Sequence, residues 1–75
     1  MNRAFFEEKW KLIREQITPK WSLMVEYDLA KVDKAEVKLD KFVTMLQVKY
    51  GYTRQKAKEE IANLWAEYES KKIKV

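Results

Sequence analysis

Pro19 and Gly51 are the single proline and the single glycine of this chain, and the long stretches they divide have few ways to bury themselves other than as helices. Each stretch repeats apolar residues at helical intervals. Phe6, Trp10, Ile13 and Ile17 fall within one narrow stripe, which predicts a first helix from about Ala4 to Ile17. Thr18-Pro19 should kink or break it, since the residue before proline avoids the helical region and Pro19 cannot donate to the carbonyl of Glu15. Thr18 as an N-cap, with Pro19 at the first helical position, would then start a new turn carrying Trp21.

From Glu26 to Tyr50 there is neither glycine nor proline, and Val32, Ala35, Leu39, Phe42, Val43, Leu46 and Tyr50 recur at helical spacing. One helix or two would satisfy this pattern. Asp33 with Glu36 three residues on makes a capping box, so a break near Val32–Lys34 is favoured. Gly51 should end the main helix in a left-handed cap, and Thr53 should cap the last helix, whose inner face is Ala57, Ile61, Leu64, Trp65 and Tyr68. The expectation is an all-α, single-domain bundle of three to four helices over residues 1–69, followed by a basic, frayed tail at 70–75. Trp10, Leu39, Phe42, Leu46, Ile61 and Leu64 are its expected core.

A chain of 75 residues has room for one core and no second. With no cysteine and no histidine it has no disulfide, no thiolate or imidazole ligand and no Ser-His or Cys-His nucleophile pair. One glycine cannot build a phosphate-cradling loop. No enzyme, cofactor or metal site is therefore expected. No apolar run approaches the roughly 20 residues of a membrane-crossing helix, and the charged opening Arg3 to Lys9 lacks the apolar stretch of a signal peptide. A cytoplasmic location follows as the expectation. The net charge of +4 is concentrated in Lys71, Lys72 and Lys74, which leaves the remaining 13 of 16 basic residues facing 12 acidic ones. A nearly neutral body speaks against a nucleic-acid module.

Several landmarks appear in order: Trp10, Trp21, Asp28-Leu29, Phe42-Val43, then Leu46-Gln47-Val48-Lys49-Tyr50-Gly51-Tyr52, Thr53, Ala57 and Ile61. In this the chain resembles the CsbD-like family of small bacterial stress-induced proteins, from about Trp10 to Tyr68. The segment Leu46–Tyr52, with Ala57 after it, is the most specific part. The chain departs from the family pattern at Ser22 and Thr44, which stand where glycine is usual, at Val25-Glu26-Tyr27, which replaces an Asp-rich cap, and in a short insertion between Leu29 and Phe42. The resemblance implies a compact helical protein raised in general stress, with two helical hairpins packed across each other. It implies no catalytic activity and so no catalytic residues.

The remaining candidates are binding surfaces. The tryptophans could stack on bases, but Trp10 and Trp65 lie on inner stripes, where core packing explains them better; the break at Pro19 obscures the face of Trp21. Glu7-Glu8 and Glu59-Glu60 are helix neighbours that point apart and read as solvated charges. A helix-turn-helix about Gly51 would offer Arg54, Gln55, Lys56 and Lys58 to a groove, but Gln47 stands where a small residue is wanted, and Glu59 and Glu60 would face phosphates. Tyr50-Gly51-Tyr52 is also similar to the first loop of ubiquitin-associated domains, on those residues alone. The last helix opens with bases and closes with Glu67 and Glu69, against its dipole. Thr53, Arg54, Lys56 and Lys49 thus form a candidate anion site, weighed against an untuned surface. Phe5 and Leu12 lie off the main stripe of the first helix, and Val37 and Val48 lie away from Leu39. Phe5 and Leu12 are the candidate partner surface, for weak self-association or a client helix. Two functions remain: a non-enzymatic structural or protein-interaction module, or a weak binder of nucleic acid or another polyanion through Arg54, Lys56, Lys58 and the lysine-rich end.

Overall fold

The computed structural model describes residues 2–73. Helices α1 (Arg3–Lys20), α2 (Glu26–Asp33), α3 (Lys38–Tyr50) and α4 (Arg54–Ile73) follow one another through short connections, and no strand occurs among the described residues. The all-α bundle expected from the sequence is the observed fold. α3 is its centre, packing on each of the other three helices, while α1 also meets α4. Phe42 of α3 is fully buried against Trp21, Phe6 and Trp10, with ring centroids at 5.5, 5.9 and 6.2 Å. The six core residues expected from the sequence are all buried.

Local sequence accounts for the helix ends, with two corrections. Asn2 caps α1, its side chain accepting from the Phe5 N–H at 2.8 Å. The helix does not break at Thr18. Pro19 lies inside its last turn, and the Trp21 N–H closes that turn on the Ile17 carbonyl at 2.7 Å. A proline so close to the C-terminus removes one hydrogen bond and leaves the rest of the helix intact. Thr18 therefore starts nothing; its hydroxyl donates to the Met24 carbonyl at 2.6 Å and helps fold residues 21–25 back.

The second correction concerns the capping box. The chain does break after Asp33, but α3 begins at Lys38 with Val37 as an N-cap that has no side-chain acceptor. Glu7 of α1 supplies the acceptor instead, receiving the Lys38 N–H. Asp33 is free of capping because its carboxylate is taken by Trp10 and Arg14 of α1. Tertiary partners have overridden a local signal.

Gly51 adopts φ 70° and ψ 20°, and its N–H returns to the Gln47 carbonyl at 3.0 Å, as a left-handed cap should. Thr53 then accepts from the Lys56 N–H at 3.0 Å and opens α4. A methyl group on Gly51 would meet no atom within 4 Å, so Gly51→Ala tests the backbone conformation alone. The substitution is expected to cost about 1 kcal/mol, read as a fall of about 4 to 8 °C in the thermal midpoint. α4 continues through Ile73, so residues 70–73 of the expected tail are helical; Lys74 and Val75 lie outside the described residues.

Candidate functional site

The four residues of the candidate anion site are not gathered around one point. Lys49 reaches α2, its Nζ 3.0 Å from Asp28 Oδ2 and 3.1 Å from the Leu23 carbonyl. Arg54 pairs with Asp40 at 3.0 Å, and Lys56 with Glu60, one turn ahead, at 3.0 Å. The Thr53 hydroxyl is occupied by the Lys56 N–H. Glu60 also receives Lys20 at 3.5 Å. The Lys56 hydrogen bond, against the effect of burial and with help from Lys20, holds its carboxyl below the usual value. Two of the bases that open α4 are thus paired, Arg54 with an acid of α3 and Lys56 with one of α4 itself, and Lys58 is left exposed beside Arg54, Gln55, Glu59 and Ala62 on an open surface.

Phe5 and Leu12 are each half-buried. Phe5 already has an aromatic neighbour, the edge of its ring meeting Trp65 at 5.3 Å and 83°. Trp65, placed on the inner face of the last helix from the sequence, is itself half-buried and continues to Tyr68 at 5.2 Å. The three rings line the seam between α1 and α4. Val37 is half-buried and Val48 is exposed.

Around residues 21–25 the structure assembles a polar clamp. The Tyr50 hydroxyl accepts from the Leu23 N–H at 2.9 Å, Lys49 holds the Leu23 carbonyl, and the Asp28 carboxylate accepts from the Val25 N–H at 3.1 Å. Trp21 is buried, its indole N–H donating to the Tyr52 hydroxyl at 3.2 Å. This is what Lys49, Tyr50 and Tyr52 do here: they fix a connection. Held in this way, Leu23, Val25 and Tyr27 are exposed by 54, 47 and 69%, with Val48 on α3 at 79%. Sequence reasoning passed over the first three. The readable signal was Asp28, an acid three residues after Val25, which marks a helix start there and so makes the preceding residues a connection.

α2 sorts its charges by side. Asp28, the one buried charged residue among those described, pairs with Lys49; Glu26 and Asp33 both pair with Arg14 of α1. The Arg14 hydrogen bonds and that of Trp10 hold Asp33 below the usual carboxylate value. Asp28 is pushed up by burial, but hydrogen bonds from Lys49 and the Val25 N–H, with the charges of Lys49 and Lys31, outweigh this and hold it low. The outer side carries Tyr27, Ala30, Lys31 and Lys34, which line a shallow groove of about 300 Å³. Lys31 Nζ stands 4.5 Å from the Tyr27 ring centroid.

Among the described residues no group of three carboxylates is placed to hold a metal ion, and no helix is long and apolar enough to cross a membrane. No protein-family model matches the chain, and neither a curated protein nor a solved structure matches it significantly.

Proposed function

We propose that this chain is a non-enzymatic helical interaction module of the CsbD-like kind, acting in the bacterial cytoplasm during stress. The resemblance centred on Leu46–Tyr52 supports the kind of protein. The observation that carries the interaction role is the clamp. Two exposed apolar side chains, Leu23 and Val25, sit on a connection whose backbone is held by Asp28, Lys49 and Tyr50, and the exposed Tyr27 follows in the first turn of α2. A surface ordered before binding loses little entropy on binding, which suits a docking element.

The competing role, polyanion binding, is weakened by the pairing of Arg54 with Asp40 and of Lys56 with Glu60. The test is DNA retention by the full chain between about 50 and 200 mM salt, beside a variant with Lys58, Lys71, Lys72 and Lys74 changed to Gln. An interaction module gives little retention and no difference between the two. Strong retention with a steep salt slope, lost in the variant, overturns the reading.

A further inference from the structure

The outer face of α2 carries one sign of charge. All three acids of the helix are engaged with Arg14 or Lys49, while Lys31 and Lys34 make no ion pair with any described residue. Tyr27, Ala30, Lys31 and Lys34 recur at the spacing of one helical face. The fold thus separates a small cationic and aromatic stripe from the carboxylates that would otherwise neutralise it.

We propose that this face, resting on the interaction reading above, docks an acidic amphipathic segment of a partner protein. Two carboxylates one turn apart on the segment meet Lys31 and Lys34, and an apolar side chain enters the groove between Tyr27 and Ala30. Charge complementarity selects this occupant. Carboxylates at i and i+3 or i+4 of a partner helix match the spacing of the two lysines. A second copy docked symmetrically on the same face would set these lysines against each other, which repels. Nucleic acid fits poorly, because two unpaired lysines are few for phosphate binding and Lys31 already covers a face of the Tyr27 ring.

The experiment uses the full chain and three labelled probes: a peptide of about 15 residues of Glu and Leu in helical alternation, the same peptide with Lys for Glu, and single-stranded oligo-dT. The wild type is expected to bind the Glu peptide. Lys31→Glu with Lys34→Glu is expected to weaken that binding by about tenfold or more and to gain binding of the Lys peptide, a gain that an unfolded variant would not show selectively. Unchanged Glu-peptide affinity in the double variant overturns the proposal, as does the absence of binding to any probe; in both cases the interaction reading stands on its own DNA test. Tighter binding of oligo-dT than of the Glu peptide, lost in the double variant, overturns both together.

Discussion

Phe42→Ala is expected to leave the protein largely unfolded at ordinary temperature. Phe42 is fully buried in the central helix and touches three aromatic rings drawn from α1 and from the connection after it. Removing the ring forfeits its transfer free energy and leaves a cavity between large, rigid neighbours that cannot collapse into it, a loss of about 3 to 5 kcal/mol. A domain of this size has on the order of 5 kcal/mol in all. Thermal melts followed by circular dichroism should show the midpoint fall by roughly 15 to 30 °C, or no cooperative transition. Phe42→Leu keeps most of the volume and should fold, at a cost of about 1.5 kcal/mol. If the alanine variant melts within a few degrees of the wild type, Phe42 is not at the centre of the core.

Most of the fold was legible because it rests on periodicity and on unambiguous end signals. The stripe from Phe6 to Ile17, the left-handed cap at Gly51 and the Thr53 cap each have one economical reading, and the structure has each of them. The misreadings are of two sorts. At Pro19 position in the helix outweighs the local rule: near a C-terminus the lost hydrogen bond is one of few that remain to be lost. At Asp33 a valid local motif lost to partners distant in sequence, since Trp10 and Arg14 offer a carboxylate more than a backbone cap does.

The surface was less legible for the same physical reason. Whether a lysine is free depends on which acid stands across the bundle, and chain order does not give that. Arg54 meets Asp40 and Lys49 meets Asp28, so a cluster that is basic along the sequence is paired in space. Lys31 and Lys34 have acids close along the chain yet form no ion pair with any described residue, because Arg14 has taken Asp33 and Glu26 and Lys49 has taken Asp28. Phe5 lies off the main stripe of α1, and what half-buries it is Trp65 of α4, a neighbour that the periodicity of α1 does not reveal.

Asp28 is expected to carry the second largest effect, and its pH dependence gives the prediction a sign. Its carboxylate is nearly buried, accepts from the Val25 N–H at the start of α2 and pairs with Lys49, which in turn holds the Leu23 carbonyl. Asp28→Ala removes a helix cap and a charge-assisted bond together, at a cost of about 2 to 3 kcal/mol. Lys49 limits the damage, because its ammonium group is partly exposed and can turn to water. Asp28→Asn keeps an acceptor for Val25 and should lose about half as much. The carboxyl titrates lower in the folded protein than its ordinary value of 3.8. Its contribution is therefore fully present above that value and is lost as pH falls through the folded pKa. The stability gap between wild type and Asp28→Asn should accordingly be constant from neutral pH down to about 5, then narrow below about 4 as the wild type itself becomes protonated. Asp28→Ala should keep part of its deficit at every pH, since protonation does not restore a missing cap. Urea titrations of the three proteins at a series of pH values decide it. A gap between wild type and Asp28→Asn that stays constant to the acid limit would mean that the ionised carboxylate contributes nothing to holding residues 21–25, and that the clamp rests on bonds that do not need its charge, those of Tyr50, Lys49 and Thr18.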